Sequence, residues 1–118
     1  MTMRLGLIAT TLLCAATTAQ AEFQKIEDQD TFMSLIQGKE LTRPFVNLTV
    51  TPDGRIEGMG LSWEVTGQWT WEDGFFCRSL FWDGDDLGYN CQEVKANGTR
   101  LRFTSDQGSG RSAVFRLD

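Results

Sequence analysis

The chain has 118 residues, 16 acids against 11 bases, no histidine and a formal net charge of −5. An acidic balance with no basic run excludes nucleic acid and an anionic membrane surface as partners, because both need a cationic face. The lack of histidine removes the usual Ser-His or Cys-His nucleophile pair and the commonest ligand of zinc and haem.

The first 21 residues read as a secretory signal. Arg4 gives a positive n-region, Leu5 to Ala16 is apolar and uncharged, and Ala19-Gln20-Ala21 is a small-x-small cleavage site. The apolar run is shorter than the roughly 20 residues a membrane span needs. A lipid anchor on Cys14 is the rival, for which Thr11-Leu12-Leu13 is a poor match. Cleavage after Ala21 leaves one domain, residues 22–118, in the periplasm or secreted. That is 97 residues, enough for one core and helped by a staple. Cys14 leaves with the signal, so Cys77 and Cys91 remain to form a disulfide in an oxidising compartment.

Along the mature chain, Asp28 or Asp30 can cap a helix over Thr31–Gln37, with Phe32, Leu35 and Ile36 as its apolar stripe and Gly38 after its last turn. From Arg43-Pro44 onward the pattern becomes short strands and turns. Phe45–Thr51 precedes the turn Pro52-Asp53-Gly54, and Ile56–Leu61 follows it. In Ser62–Trp71 the residues Trp63, Val65, Trp69 and Trp71 share one face. Phe75–Trp82 and Leu87–Val94 flank the acidic tetrad Asp83 to Asp86, expected as a hairpin loop. If Cys77 faces Cys91, then Ser79 faces Tyr89 and Phe81 faces Leu87. Ala96-Asn97-Gly98 is a hairpin signal, Leu101 and Phe103 point one way, and Ala113, Phe115 and Leu117 alternate with Val114 and Arg116. The fold expected is mainly β: one short helix, then about seven antiparallel strands in a meander forming a small barrel or half-barrel.

No residue set makes a convincing catalyst. Lys25, Lys39 and Lys95 are not spaced for a serine–lysine pair, and Asp73, Asp83, Asp85 and Asp86 suit turns better than glycosidase chemistry. Asp83, Asp85 and Asp86 are the best calcium candidates, but they lack the spacing and distal glutamate of an EF-hand. Asn47-Leu48-Thr49 and Asn97-Gly98-Thr99 match the glycosylation sequon. Gly108-Ser109-Gly110-Arg111-Ser112-Ala113 fits the dinucleotide fingerprint in letters only, since no helix can follow in the five residues that remain. The aromatic set is the unusual feature. Phe75–Trp82 is apolar on both faces, with Phe76, Leu80 and Trp82 opposite Phe81. Either the Phe32 helix covers the second face, or the strand offers a groove to a small apolar ligand or a partner chain.

The run Gly67-Gln68-Trp69-Thr70-Trp71-Glu72-Asp73-Gly74-Phe75-Phe76-Cys77-Arg78, with Asn90-Cys91-Gln92 and Leu101–Asp106, resembles a family of short exported bacterial proteins over the whole mature chain. The family has no activity to carry over. Some of its members bear the name dihydrodipicolinate reductase by name transfer. Reductases of that name are long cytoplasmic enzymes with a Rossmann domain and a catalytic histidine, and this sequence has neither. The reading is a non-enzymatic binding module without cofactor or membrane span, monomer or homodimer. It would use the face of Trp63, Trp69, Trp71, Phe76, Leu80 and Trp82 together with the acidic hairpin. The alternative is an envelope structural protein or an inhibitor of a periplasmic hydrolase.

Overall fold

The computed structural model describes Gly6 and residues 22–118, so the rest of the expected signal peptide, with Cys14, lies outside the described residues. The chain runs through β1 (Gln24–Lys25), α1 (Gln29–Ile36), β2 (Leu41–Arg43), β3 (Val46–Val50), β4 (Arg55–Gly60), β5 (Trp63–Glu72), β6 (Phe75–Trp82), β7 (Asp85–Asn97), β8 (Arg100–Thr104) and β9 (Ser112–Leu117). Strands β2 to β9 pair in sequence order, and β9 returns to β2 through Leu41↔Leu117 and Thr42↔Arg116. The result is a closed, eight-stranded, up-and-down antiparallel barrel. Closure leaves no open edge at the first and last strands. Strand β1 lies outside the ring, against β7 at Gln24↔Ala96 and Lys25↔Lys95.

The expected seven strands thus become nine. Strand β2 is three residues long and ends at Arg43, just before Pro44, and β1 has two residues, too few for an alternating pattern to show. Helix α1 starts two residues earlier than expected. Its cap is Asp28, whose carboxylate accepts from the Thr31 N–H at 2.8 Å and is thereby held below its usual pKa. Gly38 takes φ +73° after the last turn, as anticipated.

The helix plugs one end of the barrel. Phe32 is fully buried, with ring centroids 5.2 to 5.6 Å from those of Trp71, Phe76 and Trp69, and 6.4 Å from that of Phe103. The Trp71 indole N–H donates to the Glu27 carbonyl at 3.3 Å and ties the approach to the helix onto β5. Core positions follow the inward parity of each strand: Val65 and Trp69 on β5, Val94 on β7, Leu101 and Phe103 on β8, Leu117 on β9.

Cys77 and Cys91 are direct partners on β6 and β7, with Cα atoms 3.9 Å apart, and they form the disulfide. Ser79 faces Tyr89 as expected. Beyond that pair the register slips: Phe81 meets Asp86 and Trp82 meets Asp85. The acidic tetrad is therefore not the loop. The turn is Asp83-Gly84, whose φ values of +49° and +81° are those that Asp-Gly supplies to a tight hairpin, and the displaced residue is absorbed in a bulge at Leu87–Gly88.

Gly58 and Gly67 are interior residues of β4 and β5. A Cβ on Gly67 would sit 2.2 Å from the Ser79 carbonyl oxygen, and one on Gly58 would sit 2.0 Å from that of Asn47. Both allow neighbouring backbones to come close where the small barrel coils. Gly67→Ala should force β5 from β6 and cost stability at or beyond the upper end of about 1–3 kcal/mol, read by urea denaturation. Replacing Cys77 and Cys91 together by serine should cost about 3 kcal/mol in the same assay; an unchanged midpoint would refute the cross-link's role.

Candidate binding cavity

The end opposite α1 is unplugged. It is rimmed by the turns at Pro44-Phe45, Leu61-Ser62 and Asp83-Gly84, and carries exposed apolar side chains: Phe45, Leu61 and Leu87 are 78%, 55% and 54% exposed. An open groove of about 450 Å³ lies between them, walled by Val46, Leu48, Val65, Leu80, Trp82 and Phe115 among others. It meets an inner cavity of about 160 Å³ at Leu48, Leu80 and Phe115, and that cavity reaches down to Phe76 and Phe103 beside the plug.

Alternation of the strands places these walls. On β6 the inward residues are Phe76, Arg78, Leu80 and Trp82, while Cys77, Ser79 and Phe81 face outward. The helix covers only Phe76 of this face, and Leu80 and Trp82 line the open part. Trp82 is fixed by its indole N–H, which donates to the Gly60 carbonyl at 2.9 Å, and its ring meets Trp63 edge-on at 5.3 Å. Trp63 is 44% exposed at the rim. The structure therefore divides the six candidate face residues. Trp69, Trp71 and Phe76 pack around Phe32, Leu80 and Trp82 line the cavity, and Trp63 sits at its mouth.

The lining is apolar apart from three polar side chains. Arg43 reaches the rim and stacks over the Phe115 ring at 5.6 Å. Arg78 and the Gln92 amide lie on the inner wall. Arg78 Nη1 donates to the Gly88 carbonyl at 2.9 Å, and burial pulls the guanidinium below its ordinary pKa without discharging it. Gln92 donates from Nε2 to the Ser105 hydroxyl at 3.2 Å. Arg78 was missed in the sequence, although it shares the parity of Phe76, Leu80 and Trp82, and a charge interrupting an apolar face is a readable signal.

The calcium candidates do not converge. Asp85 and Asp86 are neighbours on β7, Asp83 is in the turn, and Asp86 already accepts from the Gly88 N–H at 2.7 Å. Among the described residues, the one set of three ligand-type groups that draws together is Glu72 with Cys77 and Cys91, whose sulfurs are bonded to each other. Tyr89 donates there to Glu72 Oε2 at 3.2 Å. No family model, curated protein or solved structure matches this chain.

Trp82→Phe keeps a ring against Trp63 but leaves the Gly60 carbonyl without its donor. The expected loss is about 1 kcal/mol by urea denaturation, with the disulfide intact.

Proposed function

We propose that the domain is a non-enzymatic binding protein of the periplasm or cell exterior, and that its ligand is a small, mainly apolar molecule held inside the barrel. The observation that supports this most is the asymmetry of the two ends. A buried phenyl ring stoppers one, while the other opens onto an apolar cavity whose rim exposes Phe45, Leu61 and Leu87. Exposing such a rim is unfavourable unless something covers it part of the time. Sites of this kind are concave and mainly apolar, with a few polar groups to orient the ligand. The exported location is supported by the signal-like pattern of Arg4, the apolar Leu5 to Ala16 and Ala19-Gln20-Ala21.

The same rim favours one second reading, a protein partner seated over the mouth, as an inhibitor or envelope component would have. The two readings differ in where the apolar contact is made. A small ligand uses Leu80 and Trp82 inside, whereas a protein partner uses Phe45 and Leu61 outside.

The mature domain should take up N-phenyl-1-naphthylamine with a rise in fluorescence, and straight-chain alcohols should displace it. Each added methylene should tighten the alcohol by roughly fourfold while the tail still fits, from about 0.8 kcal/mol per buried CH₂. A series flat from hexanol to dodecanol, or no uptake of the dye, would sink the proposal.

A further inference from the structure

Charge is distributed unequally between the two sides of the barrel wall. The chain has 16 acids and 11 bases, yet no aspartate or glutamate lines either the inner cavity or the groove that opens from it, and two arginines do. Two outward arginines have carboxylate partners: Arg55 pairs with Asp53 at 3.1 Å and Glu57 at 2.6 Å, and Arg116 with Asp118 at 2.8 Å. Arg100, Arg102 and Arg111 have none but stand on the outer surface in reach of water, whereas Arg78 is on the inner wall. Among the described residues no carboxylate lies within 4 Å of its guanidinium, and its polar contact is the Gly88 carbonyl. Arg78 shares the lining of the inner cavity with Phe76, Leu80, Phe103, Phe115 and the amide of Gln92.

A half-buried cation with apolar neighbours and no counter-charge is unfavourable. One carbonyl acceptor leaves several of the five guanidinium N–H donors free. The planar fork of those donors matches carboxylate or phosphate oxygens in pairs. Arg43 at the rim repeats the sign, so an anion entering the mouth meets one cation before reaching the next.

We propose that the ligand is a single-chain amphiphile with an anionic headgroup, carboxylate or phosphate, whose head pairs with Arg78 while its tail occupies the apolar cavity. This rests on the reading of the barrel as a container for a small ligand, and it adds the chemical class. Arg78 is the residue that distinguishes the anion from a neutral chain of equal length.

The test compares decanoate, decyl phosphate and decan-1-ol as displacers of N-phenyl-1-naphthylamine, using the disulfide-bonded mature domain, Arg78→Gln and Arg78→Lys. In the unaltered protein at least one anion should bind tenfold or more tighter than the alcohol, and which anion leads identifies the headgroup. Arg78→Gln should abolish that preference, so that anions and alcohol displace the dye alike, and an unchanged far-UV circular dichroism spectrum shows that the variant is folded. Arg78→Lys should retain part of it, as a point charge without the fork. Equal binding of anions and alcohol by the unaltered protein would overturn the inference and leave the apolar container standing, as would a preference that survives Arg78→Gln. If none of the three binds, both fall. Should Arg78→Gln fail to fold, Arg78→Met takes its place, and a preference for decanoate that persists once acid has protonated its free carboxylate would count against the ion pair.

Discussion

The return of β9 onto β2 is the constraint on which the rest of the structure depends. Two backbone bonds continue it past the ladder: the Glu40 N–H donates to the Asp118 carbonyl at 2.9 Å, and the Asp118 N–H to that of Glu40 at 3.0 Å. Without this seam the meander would be an open twisted sheet with two bare edges and one solvated face. With it, one parity of every strand is enclosed. Phe32 then has an interior to stopper, and the residues above it line a space. The cavity follows from closure combined with a plug that reaches only partway up the barrel.

Much of this was legible along the chain. Alternation in Ser62–Trp71, Arg100–Phe103 and Ala113–Leu117 sorted inward from outward residues correctly, because a two-residue period survives any amount of coiling. The opposed cysteines fixed the β6–β7 register near Ser79 and Tyr89, because side chains that bond must face each other. What lay further off in sequence was not legible. The β2–β9 seam joins residues more than 70 positions apart, through a strand of three residues. The slip beyond Ser79 depends on where the chain finds a left-handed pair for its turn, and Asp83-Gly84 outcompetes the longer acidic loop.

The candidate site shows the same division. Trp82, Leu80 and Trp63 were singled out for their bulk and do stand at the open end, but Trp69, Trp71 and Phe76 carry equal bulk and serve the core. Sequence cannot separate the two groups, because distance from the plug decides the matter and the plug comes from a distant helix. The inner glycines teach a related lesson. Gly67 is constrained by the carbonyl of Ser79 on the adjacent strand, a demand that no neighbour in sequence announces.

The long strand β7 has a two-sided partnership over only part of its length. From Glu93 to Asn97 it pairs with β8, whereas Asp85 to Tyr89 is held in the ladder by β6 alone. Between these stretches, Asn90 clasps Asp106 through its amide, and Cys91 is bolted to Cys77. Fastening of that sort acts as a stop. Fraying that starts at the Asp83-Gly84 tip can run back a few residues and halts at the sulfur bridge, so the doorway can breathe while the stave behind it stays in place.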